Sequence, residues 1–153
     1  MSYESQIYNT AIADGMPRPL ALLIVAQAKH ETNNFQSSIF QDCFNAFGYK
    51  VFGNARACPG HTDYEAYNNV TESTHEITAW IKRRLNEGNF PPLSTITDPL
   101  QYATLLKNNG YFGDSLYNYA AGIQAWYNDN INVSIGAGIL IAGIVAIFVL
   151  ART

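Results

Sequence analysis

Residues 19–33 read PLALLIVAQAKHETN, apolar almost without interruption over 20–26 and then polar within one helical turn. A proline near the start of such a run favours a helix opening at Arg18 and Pro19, because its missing N–H is one that a first turn leaves unpaired anyway. An apolar run with no polar face predicts a helix buried on every side, the centre of a single domain. Glu31 then falls at the C-terminal end of that helix. A carboxyl so placed is poorly solvated, which favours its neutral form and raises its pKa toward the range of a general acid.

Working outward, Ser2 is placed to cap a first helix on which Tyr3, Ile7, Ala11 and Ile12 recur at helical spacing, and Gly15 to end it. Residues 34–63 are rich in Asn, Gly, Ser and aromatics and lack long periodicity, which predicts short helical turns, loops and a small hairpin. Val70 and Thr71 read as staple and cap of a helix running to Asn86, with Ile77, Trp80, Ile81 and Leu85 on one face and Gly88 as its stop. Asp98 and Pro99 open another helix that ends at Gly110, and Asp114 caps one more, to about Asn128.

The chain carries nine Lys/Arg and twelve Asp/Glu, a formal charge of −3; with Arg152 set aside the remainder stands at eight against twelve, or −4. The basic residues are scattered apart from Lys82, Arg83 and Arg84, so nucleic-acid binding is disfavoured. Ten Tyr, two Trp and eight Phe suit stacking on sugar rings as well as core packing. Cys43 and Cys58 lie fifteen residues apart and either close a loop or remain buried thiols.

The far end of the chain has a different character. Residues 133–151, VSIGAGILIAGIVAIFVLA, hold no charge and no proline. As a helix they would extend roughly 28 Å, close to the ~30 Å hydrocarbon core of a bilayer. The expected organisation is therefore a mainly α domain over 1–130 and a transmembrane anchor over 131–153. The stretch MSYESQIYNTAIADG at the start has no basic and apolar pattern of a secretory signal.

Three ordered blocks carry a family resemblance. AQAKHETNNFQSS (26–38) with NAFGYK (45–50), YEAYNNVTEST (64–74) and DPLQYATLLKNNGYFGDSLYNYAAGI (98–123) together resemble the glucosaminidase family of peptidoglycan hydrolases, the lysozyme-like enzymes of glycoside hydrolase family 73 and the flagellar muramidases. The resemblance implies a lysozyme-like helical domain that hydrolyses β-1,4 bonds between amino sugars. It makes Glu31 the general acid and Tyr111 the residue that positions the reacting sugar or supports developing charge. Asn45, Phe47, Gly48 and Tyr67 become substrate-site residues, the first three forming the wall that orients Glu31. Phe47 also reads as a core plug, and Gly48 as a turn with positive φ.

One departure from the family pattern concerns the lobe after the Asn45–Lys50 turn, which is short. Only VFGNARACPGHTD (51–63) is available, and Asp63 is its one acid, with Glu65 just beyond. Asp63 is the expected second catalytic carboxylate; failing it, the acetamido group of the sugar or a water held by Tyr111 must serve. His30-Glu31 begins the zincin pattern H-E-x-x-H, but Asn34 stands where the second His belongs, and His61 and His75 have no ligand spacing with the cysteines. No metal and no cofactor are expected. The expected partners are peptidoglycan glycan strands, a lipid membrane and other virion proteins, in the virion membrane of a membrane-containing phage or else a bacterial inner membrane. The competing reading is a catalytically inactive glycan-binding or structural virion protein.

Overall fold

The computed structural model describes residues 1–129; the apolar segment 133–151 lies outside them. The described part is mainly helical: α1 (Tyr3–Ala13), α2 (Arg18–Glu31), α3 (Ser38–Cys43), α4 (Val70–Asn86), α5 (Pro99–Asn108) and α6 over 116–129, with a single 3-10 turn at Leu93–Thr95. Between α3 and α4 a two-stranded antiparallel hairpin pairs β1 (Ala57–Cys58) with β2 (His61–Glu65). Among the described residues no helix is long and apolar enough to cross a membrane.

The expected central helix is α2. It buries Leu20, Leu23, Ile24, Val25, Ala26 and Ala28 together with the polar Gln27, and α1 packs against both α2 and α4. Even Lys29 is buried along its stem, its ammonium 3.8 Å from Glu4 and over the Trp126 ring at 4.6 Å. Ser2 caps α1 as its sequence implies, accepting from the Ser5 N–H, and Asp98 caps α5 through the Gln101 N–H.

Two helix starts differ from the expectation. The cap of α4 is Asn69, whose Oδ1 accepts from Glu72 N–H at 3.0 Å, while the Glu72 carboxylate reaches back to the Asn68 N–H at 2.8 Å. The two bonds satisfy one first-turn donor and the N–H just before the cap, where a Thr71 cap would satisfy one donor, so the start lies earlier. At α6 the Asp114 carboxylate accepts from the adjacent Ser115 N–H, and the helix begins at Leu116, with the Ser115 carbonyl receiving Tyr119 N–H.

The hairpin lobe is too small to have a core of its own and, besides a His61–Asp42 contact at 3.3 Å to α3, is tied down at two points. A Cys43–Cys58 disulfide, Cα atoms 5.7 Å apart, joins the end of α3 to β1. Asn45 makes the second tie. Its amide donates to the Tyr49 carbonyl at 2.8 Å and the Glu65 carbonyl at 2.9 Å, and its oxygen accepts from Tyr49 N–H at 3.0 Å.

Candidate active site

Immediately after Glu31 the chain makes an unusual reversal. Asn33, Asn34 and Phe35 all have positive φ, at 49°, 57° and 65°. Left-handed conformations cost L-residues about 1–2 kcal/mol each, with asparagine the most tolerant, so this turn needs compensation. Thr32 supplies part of it: its hydroxyl donates to the Ala28 carbonyl at 2.6 Å and accepts from Phe35 N–H at 2.8 Å. Phe35 supplies more by burying its ring against Tyr3 and Phe40. The reversal ends α2 sharply at Glu31 and leaves the carboxyl partly exposed at the helix end.

Glu31 is held from two directions. Its Oε1 accepts from the Tyr119 hydroxyl at 2.5 Å, and its Oε2 lies over Gly48. A Cβ at position 48 would lie in ordinary contact with that oxygen, at 3.4 Å, but φ there is +68°, so the backbone is what requires glycine. Burial pushes the Glu31 pKa up, and the Tyr119 hydrogen bond pulls it partly back. A carboxyl that keeps its proton to a higher pH than usual, yet reaches the surface, is equipped to donate that proton.

Tyr111 stands on the wall beside it. Its hydroxyl donates to the Phe47 carbonyl at 2.6 Å, and its ring meets Trp80 and Tyr49 edge-on at 5.3 and 6.0 Å between centroids. Tyr111 therefore fastens the 45–50 turn to the helical body while leaving its own ring partly exposed. Phe47 itself is buried, which is the core-plug role, and it enters the site only through its backbone carbonyl.

Asn45 is also buried, with both amide hydrogens committed to Tyr49 and Glu65 carbonyls. It has no donor left for a ligand, so its part in the site is to hold the turn. Replacing Asn45 with Ala should take this partner from the Glu65 carbonyl and the Tyr49 N–H, while the Tyr49 carbonyl keeps the Glu65 N–H, and cost about 2 kcal/mol. Urea unfolding is the check, and an unchanged midpoint would contradict the assignment.

Tyr67 is buried with its hydroxyl unpartnered, as is that of Tyr49. Burial, followed by the Glu65 and Glu76 carboxylates, pushes the Tyr67 phenol well up. Asp63 is exposed on β2, where its backbone carbonyl receives Val51 N–H. No hydrogen bond or ion pair among the described residues joins it, or any other carboxyl, to Glu31.

Gln27, Tyr102, Tyr119 and Phe112 have no role in the site that the sequence announces, and His30 enters the sequence reading only as an incomplete metal-ligand pattern. Gln27, Tyr102 and Tyr119 form a buried hydrogen-bonded chain that ends on the carboxyl. Phe112 stacks on Tyr119 at 3.8 Å, and His30 meets the same ring edge-on at 5.0 Å. His30 fits because residue 122 is glycine; a Cβ there would fall on the imidazole. Burial lowers the His30 pKa, outweighing the nearby Asp114. The available sequence signal was Gln27, a polar residue one turn before Glu31 inside an apolar run. Tyr119 carried none, since 88 positions separate it from its partner.

A partly exposed acid with a raised pKa, walled by tyrosines and ending a buried helix, has the features that a general acid requires. A family model described as glucosaminidase, mannosyl-glycoprotein endo-beta-N-acetylglucosaminidase, matches residues 15–132, most of the chain's length. The chain belongs to this glucosaminidase family, and is a glycoside hydrolase of the endo-β-N-acetylglucosaminidase type. No curated protein and no solved structure matches it.

Proposed function

We propose that this chain hydrolyses the β-1,4 bonds of peptidoglycan glycan strands with Glu31 as general acid, on a lysozyme-like helical domain. The observation that carries the reading is the Glu31 carboxyl itself: buried enough to hold a proton, exposed enough to deliver it, and seated in the family's motif. Glu31 gives its proton to the glycosidic oxygen, and the electron pair of the breaking C–O bond leaves with the departing sugar. Tyr111 presents its ring edge to the reacting sugar. Tyr67, with its hydroxyl buried, stays out of contact with the sugar, and Gly48 places no Cβ beside Oε2.

Asp63 stands on the exposed face of the hairpin, so we assign it the secondary part. The acetamido oxygen of the substrate attacks the anomeric carbon, and water then opens the ring so formed, losing its proton to the Glu31 carboxylate. New reducing ends released from purified peptidoglycan by the full chain in detergent test this reading. Binding without release would replace it with the inactive glycan-binding alternative.

We further propose that residues 133–151 anchor the enzyme in a lipid membrane, that of a phage virion in the first instance and a bacterial inner membrane otherwise. The Cys43–Cys58 bond suits a domain working outside a reducing compartment. The full chain should stay with membranes through carbonate and high-salt washing, because apolar burial and not charge would hold it. Release by salt alone would overturn the anchor.

A further inference from the structure

The hydrogen-bonded chain behind Glu31 has a direction. The Tyr102 hydroxyl donates to Gln27 Oε1 at 2.6 Å, Gln27 Nε2 donates to the Tyr119 oxygen at 3.4 Å, and the Tyr119 hydroxyl donates to Glu31 Oε1. An ionised carboxylate has no proton to give, so Tyr119 must give its own. That in turn requires Gln27 to present its NH₂ to Tyr119 and its carbonyl to Tyr102. Gln27 and Tyr102 are fully buried, so no water competes for these groups. Phe112 stacked on one side and His30 edge-on hold the Tyr119 ring, and with it the hydroxyl, in place.

The consequence concerns the two carboxyl oxygens, which this relay makes unequal. Oε1 is already an acceptor, and the Tyr119 proton has no other acceptor in the chain. When Glu31 takes up a proton, it must therefore sit on Oε2, the oxygen beside Gly48. We propose that Gln27 and Tyr119 are positioning residues that hold the acid proton of Glu31 on Oε2, the oxygen that faces the glycosidic bond. The proposal rests on the reading of Glu31 as general acid. It explains why a glutamine is buried inside the most apolar helix: an apolar residue there would leave the Tyr119 oxygen without its donor and the Tyr102 hydroxyl without its acceptor.

The test uses the full chain in non-ionic detergent and a soluble glycan oligomer as substrate. Initial rates across pH are paired with ¹³C titration of the Glu31 carboxyl, assigned by its loss in Glu31→Gln. Tyr119→Phe removes the donor to Oε1; kcat should fall about tenfold with KM within twofold. Both the alkaline limb of the rate and the ¹³C midpoint should move up, since the hydrogen bond that favours the carboxylate is gone. Gln27→Met should act in the same direction, and the double variant should be no worse than Tyr119→Phe alone, as members of one chain are not additive. Tyr102→Phe frees the Gln27 amide to rotate and draw off the Tyr119 proton, so it too should raise the limb, although it touches nothing near substrate. It carries the test if Tyr119→Phe loses the parent's circular dichroism. An unmoved limb in Tyr119→Phe and Tyr102→Phe, or a loss confined to KM, would overturn the relay. A Glu31→Gln variant as active as the parent would sink the general-acid reading itself, a distinguishable failure.

Discussion

Glu31→Gln should lower the rate of glycan cleavage by something like 10²- to 10⁴-fold, the range that a positioned general acid typically supplies. Gln matches Glu in shape and can still accept from Tyr119, so the site keeps its geometry and loses only the transferable proton. Tyr111→Phe should cost less, since it frees the Phe47 carbonyl but leaves the ring on its wall, and Asp63→Asn less still, under tenfold. Because the protonated form of Glu31 is the active one, the parent's activity should decline as pH rises through its raised pKa. The same shift has a consequence for stability with a definite sign. A carboxyl whose folded pKa exceeds its unfolded value contributes fully below the unfolded pKa, and that contribution is lost as pH rises through the folded one. Glu31→Gln should therefore match the parent's stability in acid and exceed it above that window. A melting-temperature series against pH reads this directly. A variant less stable than the parent at high pH would mean that Glu31 is not desolvated as described.

Removing the Cys43–Cys58 disulfide should cost about 3 kcal/mol, the chain-entropy value for a loop of fifteen residues. For a chain of this size that is a fall of roughly 10 °C in Tm. The bond closes the loop that contains Asn45, the 45–50 turn and the exposed tip at Phe52, so its loss loosens the lobe. The Asn45 clip and the Tyr111–Phe47 hydrogen bond remain to hold Gly48 over Glu31. Cys43→Ala/Cys58→Ala should accordingly retain most of its specific activity below its own melting temperature. Reductant added to the parent should shift its urea midpoint to that of the double variant; no shift would show that the bond contributes nothing to folding.

The helical body was legible because its signals are local. Ser2 and Asp98 mark helix starts by accepting first-turn N–H groups, the proline of α2 by having none to satisfy, and the apolar run over 20–26 states its own burial. Glu31 was legible by position, at the point where that run ends. The cap of α4 lies two residues before Thr71 because Asn69 accepts the Glu72 N–H while the Glu72 carboxylate holds Asn68, and the two bonds together outcompete a single threonine.

The division between residues that touch substrate and residues that hold others was not legible. Asn45 and Phe47 sit in the motif beside Gly48, yet the fold spends the amide of the first on two carbonyls and the ring of the second on the core, leaving only Gly48 against the acid. By itself the sequence determined the helices, the buried α2 and the acid at its end, since each follows from the properties of residues within a turn or two of one another. Only the tertiary structure decided that Tyr119 and Tyr102 join Gln27 behind Glu31, across 88 and 75 positions of chain. A hydrogen bond depends on where two atoms meet, and periodicity along one helix carries no information about which side chain of another helix arrives to meet it.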